Sequence, residues 1–173
     1  VELPLSTRII IGISDFLRYN FLVFASVLIG VISGTVFFFR SPFGRVLFHK
    51  MIIKLPIVGN IVKEVNVART ARTLSSLMSS GVDIVVALGV TRDVLQNTFY
   101  KRVLGDAEQL VQKGEPMSVV FIQNEVLFPS FVGEMMAVGE ETGKTSEMLL
   151  NVAVFYEEAV DQKTEDMSTV IEP

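Results

Sequence analysis

The sequence predicts an all-α protein, with one transmembrane helix followed by an antiparallel cytoplasmic bundle of about six helices. Three observations carry this. An apolar run without charge lies near the start. Every later segment repeats its apolar residues at three- and four-residue steps, and none alternates with period two for long. Breaks of two to seven residues between segments favour antiparallel neighbours. The 173 residues suffice for one domain plus an extra segment. Val1 rather than Met at the start is read as the start of a piece of a longer protein.

Apolar residues make up 50% of the chain, and mean hydropathy is +0.49. That is high for a soluble domain and suggests a membrane element. With no Cys, disulfides and Cys-based zinc or redox sites are excluded, and His49 as the only His excludes a His–His metal motif. A net charge of −4 gives no global argument for nucleic acid.

Residues 1–18 are expected outside the cytoplasm. Ile9, Ile10, Ile13, Phe16 and Leu17 recur at helical spacing behind Ser6, as in a helix lying in the membrane interface. Residues 19–40 hold "YNFLVFASVLIGVISGTVFFFR", in which Phe21 to Phe39 is uncharged. A helix from Tyr19 to Phe39 would be roughly 31 Å long, close to the ~30 Å hydrocarbon core. A cleaved signal peptide fits poorly, because no small-residue cleavage site follows the run. Arg40, Arg45, Lys50 and Lys54 follow the span with no acid before Glu64, which places the C-terminal side in the cytoplasm. Ser26, Gly30 and Gly34 stand four apart on one face, a pattern that lets membrane helices approach closely.

Residues 41–58 read as a basic membrane-surface segment, stopped before Pro56. Residues 59–173 read as the helical bundle. Asn60 is expected to cap a helix that Gly81 ends, with Ile61, Val65, Ala68, Ala71, Leu74 and Met78 as its apolar stripe. Asp83 and Asn97 cap the next two, Gly114 ends the second of these, and a short segment runs to about Gln123. Pro129 is expected as the first residue of a helix ended by Gly143, and Ser146 as the cap of a long last one. Met135, Met136 and Met148 are read as core filler and His49 as an interfacial residue beside lipid headgroups.

The stretch "VGEETGKTSEML" imitates a phosphate-binding loop through Gly139, Gly143, Lys144 and Thr145. The Walker pattern needs four residues between its glycines, and here only Glu140, Glu141 and Thr142 intervene. Two carboxylates would occupy the place of the phosphates, and the preceding residues have helical rather than strand spacing. A nucleotide-binding protein is therefore a remote alternative. The simpler reading is a helix–turn–helix joint in which Gly139, Gly143, Ser146 and Pro129 are structural. Glu140 and Glu141 then sit against the helix dipole, at a cost of a few tenths to about 1 kcal/mol, which marks them for a second use.

At this joint the chain resembles the inner-membrane platform proteins of type IV pili and type II secretion. "LFPSFVGEMMAVGEETGKTSEMLLNVAVFYEEAVD" carries the family's FP pair, its M-x-x-x-GE-x-(S/T)-G core and, in the pilus branch, F-Y-E-E and V-D. "ARTARTLSSLMSSGVDIVVAL" is similar to the family's R-T-L-x-x-L-x-x-x-G-V segment, and "GEPMS", "LPIVG" and the final "IEP" also fit. Thr145 and Ser146 depart from the usual Leu and Asp, and Ala159 replaces a common acid. The resemblance implies the C-terminal part of such a protein, leading towards a further membrane span, with the pilus branch favoured by "FYEEAVD". It implies no chemistry, no catalytic residue, no cofactor and no metal of the chain's own. It also implies a place in the bacterial inner membrane. The implied partners are a cytoplasmic motor ATPase, pilin or pseudopilin, other inner-membrane assembly proteins, further copies of the chain and membrane lipid. Glu140, Glu141, Glu157, Glu158 and Asp161 form an acidic face suited to a basic partner, and Arg69 and Arg72 either pair with acids of the last helix or face the motor. Without His, Cys or an oxyanion-type loop nearby, these acids do not indicate an enzyme, and no EF-hand spacing supports calcium.

Overall fold

The structure is a computed structural model that describes residues 21–55 and 58–171. The expected interfacial helix within residues 1–18 lies outside the described residues. Among the described residues all regular structure is helical. The helices are α1 (Phe21–Arg40), α2 (Pro42–Lys54), α3 (Val58–Ser79), α4 (Ile84–Val94), α5 (Thr98–Val111), α6 (Ser118–Gln123), α7 (Ser130–Thr142) and α8 (Thr145–Ile171). The chain divides into two compact units, Val1–Arg45 and Val46–Pro173.

In the first unit α1 keeps its apolar side chains on the outside, with Leu22 82% and Phe37 79% exposed. Its hydroxyls turn back on their own helix: Ser26 Oγ donates to Val23 O at 2.8 Å and Thr35 Oγ1 to Val31 O at 2.7 Å. These hydroxyls of the apolar rod are thus satisfied within their own helix. A Cβ added at Gly30 or Gly34 would meet nothing within 4 Å, so the face they share with Ser26 is open. Among the described residues no helix is long and apolar enough to cross a membrane.

In the second unit α3 to α8 form a closed ring of six helices. Each packs on its neighbours in sequence, and α8 returns to pack most extensively on α3. Three cross-links show that α3 and α8 run antiparallel. Glu64 pairs with Lys163, Arg72 with Glu157, and Ser75 Oγ donates to Ser146 O at 2.7 Å, so rising numbers on one helix meet falling numbers on the other. The alternation gives the ring two ends. Gly81, Gly114 and Gly143 all have positive φ, at +81°, +81° and +69°, and they make the α3–α4, α5–α6 and α7–α8 turns at one end. A left-handed φ costs glycine little and any other residue more. The other end holds the α4–α5 and α6–α7 connections and the C-terminal half of α2.

The core follows from the periodic apolar residues. Tyr100, Phe121 and Phe128 stack edge to face, with centroids 5.0 and 4.7 Å apart, and Leu74, Leu88, Leu104, Met117, Met136 and Leu149 surround them fully buried. The Tyr100 hydroxyl donates to Leu127 O at 3.0 Å, and burial raises its pKa above the ordinary tyrosine value. On α3 the buried residues include Val67, Thr70 and Ser75 beside the predicted Ala68, Ala71 and Leu74. This helix is covered on two sides, by α4 and α8, which widens a single stripe.

Local signals placed most boundaries. Asp83 caps α4 by accepting from Val85 N at 2.9 Å, and Asn97 caps α5 by accepting from Phe99 N at 3.0 Å. Three assignments shift. α3 starts at Val58, so Asn60 lies inside it rather than at its cap. Pro129 precedes α7 as its cap residue, with ψ 150°, instead of being its first helical residue. Ser146 is the second residue of α8, because Lys144 O already accepts the first helical bond from Met148 N at 3.0 Å. His49 is tied to α5, with Nδ1 accepting from Thr98 N at 3.3 Å and standing 3.2 Å from Thr98 Oγ1.

Gly139 tests this packing. A Cβ there would stand 2.8 Å from Thr145 Cα, which is backbone and cannot rotate away. Gly139→Ala is expected to destabilise by about 1–3 kcal/mol through overpacking. Gly105, inside α5 with its nearest neighbour at 3.9 Å, should accept alanine with a gain of about 0.5–1 kcal/mol. Urea titration followed by circular dichroism measures both.

Candidate functional site

Two charged regions emerge from the ring, one at its glycine end and one along the α3–α8 seam. At the glycine end α7 and α8 meet at Gly139, which lacks a side chain where Thr145 and Met148 pass over it. The turn closes when Lys144 N donates to Gly139 O at 2.8 Å, with Gly143 in the left-handed region. Glu140 does not face solvent alone. Its carboxylate reaches the start of α6 and accepts from Met117 N at 2.7 Å and Ser118 N at 3.2 Å. Met117 offers no side-chain cap of its own, so the cap comes from 23 residues away. A carboxylate there meets unpaired amides and the positive helix end, which offsets its unfavourable place at the end of α7.

Each residue of the G-E-x-x-G core thus has a structural cause: close helix contact, a long-range cap and a left-handed turn. Glu141 is exposed beside them, as are Lys144 and Glu147, whose charged groups lie 3.7 Å apart. Gly139 sits within a helix rather than after a strand, and its amide neighbours do not wrap an anion site. The phosphate-loop alternative is thereby corrected: the loop is one residue short and its backbone is already closed on itself.

Along the seam, Val65, Ala68, Arg69, Arg72, Thr73, Glu157, Val160 and Asp161 line an open groove of about 450 Å³. It brings together four of the residues singled out from sequence: Arg69, Arg72, Glu157 and Asp161. Arg72 grips Glu157 with two parallel hydrogen bonds, Nε to Oε1 at 2.8 Å and a second from its terminal nitrogen to Oε2. The Arg72 hydrogen bond holds the Glu157 carboxyl below its ordinary pKa, outweighing the opposing effect of burial, and Arg72's charge adds a lesser push in the same direction. The same bond raises Arg72. Arg69, Glu158 and Asp161 are exposed. Glu141 and Glu140 belong to the glycine end and do not join this groove.

Besides the Glu140 cap, sequence reasoning missed three polar contacts between helices of the ring. Glu64 pairs with Lys163 and leaves Oε2 buried without a hydrogen-bond partner. That charge is also a minor reason, after burial, why the Tyr156 hydroxyl is raised. Arg92 Nη1 donates to Glu108 Oε2 at 2.6 Å between α4 and α5. The Ser75 bond to α8 is the third. The first had a readable signal: Glu64 and Arg72 on α3, and Glu157 and Lys163 on α8, are opposite charges about two turns apart, which match only in an antiparallel alignment.

The geometry defines a class first: a helical module whose charged groups close its own seams and turns, with no cluster of metal-binding side chains among the described residues. Comparison then identifies it. Residues 70–173 match the family described as Type II secretion system (T2SS), protein F. Relatives include the type IV pilus assembly protein PilC of Thermus thermophilus, 37% identical over 99% of this chain and 42% of that protein. The protein of the same name from Pseudomonas aeruginosa is 36% identical over 99% of this chain and 46% of its own length. Type II secretion system protein F of Pseudomonas aeruginosa is 33% identical over 87% of this chain and 37% of its own length. The chain belongs to the type II secretion system protein F family, and it spans less than half the length of these relatives.

The Arg72–Glu157 pair gives a pH prediction. Because the folded pKa of Glu157 is lowered, its contribution to stability is full above the ordinary carboxyl value of 4.5 and is lost as pH falls through the lower, folded value. Glu157→Gln should reduce the loss of thermal stability on acidification below that range and leave the neutral-to-alkaline profile flat. Melting curves across pH measure it.

Proposed function

We propose that the chain is part of the inner-membrane platform of a type IV pilus assembly machine, coupling a cytoplasmic motor ATPase to the insertion or removal of pilin. The observation that carries the proposal is the 37% identity to a type IV pilus assembly protein across 99% of the chain. In this reading residues 19–40 span the membrane, residues 1–18 lie outside it, 41–58 follow the inner surface and 59–173 form the cytoplasmic bundle. The exposed apolar side chains and inward-bonded hydroxyls of α1 support the span. Ser26, Gly30 and Gly34 offer the open face for a second helix, of this chain or of another inner-membrane assembly protein.

The two ends of the ring divide the work. The C-terminal half of α2 meets the ring at one end, beside Thr98 and Phe99, and the glycine turns form the other. Glu141 and Glu147 are exposed there, and Glu158 and Asp161 continue an acidic strip along α8. A strip of one sign steers and selects a basic surface on the motor. Glu140 serves this surface indirectly, by fixing α6 against α7. The reading assigns no catalytic residue and no cofactor to this chain. A second reading, the platform of a type II secretion system with pseudopilin as cargo, is favoured by the 33% identity to a protein F.

Deletion of the gene, with assays for surface pili and for secreted enzymes, separates the two. Loss of pili with normal secretion is expected; intact pili with lost secretion would establish the second reading instead. Glu141→Lys with Glu158→Lys should weaken binding of the motor ATPase while the helical circular dichroism stays unchanged. Unaltered binding would remove the acidic strip from the mechanism. Glu140→Lys is the poorer test, because it also breaks the cap on α6.

A further inference from the structure

The end of the ring opposite the glycine turns carries an apolar surface that the proposed function does not use. Val126, in the α6–α7 connection, is 73% exposed, more than any other described large apolar residue outside α1. It is not on a loose loop. Leu127 N and Phe128 N both donate to Asn124 O, at 3.0 and 2.9 Å, Leu127 O takes the Tyr100 hydroxyl, and the Phe128 ring is locked in the core. The connection is therefore braced on both sides of a valine held outward. Ile122 is exposed one turn earlier, as are Leu47 and Met51 on α2 and Leu55 just after it.

Between these elements lies an open pocket of about 320 Å³, lined by Lys50, Ile53, Phe99, Asn124, Val126 and Leu127. Its walls are almost wholly apolar, and Lys50 supplies a cation at the rim. Glu125, beside Val126 in sequence, is exposed as well. An apolar depression with a lysine at its edge fits a lipid: acyl chain against the valine and phenylalanine, phosphate against the lysine. Chain connectivity supports this occupant. Lys50 and Ile53 of the pocket belong to residues 41–58, which the proposed function lays along the membrane surface.

We infer that this end of the bundle docks on the bilayer itself, with Val126 and the pocket beside it entering the lipid and Lys50 meeting anionic headgroups. The inference rests on α1 spanning the membrane. It adds that the bundle is held against the surface at a second point, rather than hanging from one helix. Two contacts fix an orientation that one cannot, and an oriented bundle presents its glycine end away from the lipid.

The chain contains no Trp, so single tryptophans report cleanly. Val126→Trp, Leu28→Trp and Ser79→Trp are each reconstituted as the full chain in vesicles of phosphatidylglycerol and phosphatidylcholine, with and without brominated phosphatidylcholine. Leu28→Trp reports the span and Ser79→Trp the glycine end. Val126→Trp is expected to be blue-shifted and quenched by lipid brominated near the headgroup. That quenching should weaken when phosphatidylglycerol is omitted or Lys50→Glu is added, while quenching of Leu28→Trp stays unchanged. Val126→Trp behaving like Ser79→Trp while Leu28→Trp is quenched would overturn the docking and leave the span intact. No quenching of Leu28→Trp would overturn the span as well. A blue shift of Val126→Trp without bromine quenching, growing with protein-to-lipid ratio, would mean that another copy of the chain covers the surface, and the lipid reading falls.

Discussion

The seam between α3 and α8 is the constraint on which the bundle depends. Every other extensive helix contact in the ring joins neighbours in sequence, so it forms across a short link at small entropic cost. The seam brings together residues such as Glu64 and Lys163, 99 positions apart. Closing a loop of that length costs roughly (3/2)RT ln n, ~4 kcal/mol beyond a constant. Leu149, Val152, Ala153 and Tyr156 of α8 and Val67, Ala71 and Leu74 of α3 are buried at or near this contact. At about 1.5–3 kcal/mol for each larger side chain, their burial exceeds the closure cost. The half-exposed ion pairs contribute less energy than alignment: a slip along the seam would separate Arg72 from Glu157 and Lys163 from Glu64 together.

The alternation of helix directions sorts the connections. One end turns on three glycines in the left-handed region, and the other uses Asn97, a braced α6–α7 connection and Pro129. At the glycine end the acid in G-E-x-x-G serves a neighbouring helix start rather than its own helix. The same five residues therefore secure three helices: α7 and α8 through Gly139 and Gly143, and α6 through Glu140. The exposed acids around them, Glu141 and Glu147, take no part in these three contacts.

What was legible in the sequence was local. Asp83, Asn97, Gly81, Gly114 and Gly143 act on the backbone within a few residues, and their positions read correctly. Pairing of Arg72 with an acid of the last helix was among the alternatives and is the one observed. The Glu140 cap was not legible, because its partners lie 22 and 23 residues away and depend on how α6 folds back on α7. Ser146 looked like a cap by type, but the close approach at Gly139 draws Thr145 into the helix and leaves Ser146 to present its carbonyl to Ser75. Pro129 missed by one position, the ordinary uncertainty of a helix start, and Asn60 by three. The acidic mismatch at the end of α7 was the one sign in the sequence that Glu140 had another task.

Native-state hydrogen exchange tests the role of the seam most directly. If α3 and α8 close the ring, their central amides, around Ala71 and Val152, should open only in global unfolding and share the highest free energy of exchange in the domain. The amides of α4 to α7 should exchange at or below that value and never outlast the seam. Amides of α5 or α7 that stay protected in denaturant sufficient to expose those of α3 and α8 would contradict the account, since the ring would then hold together without its closing contact.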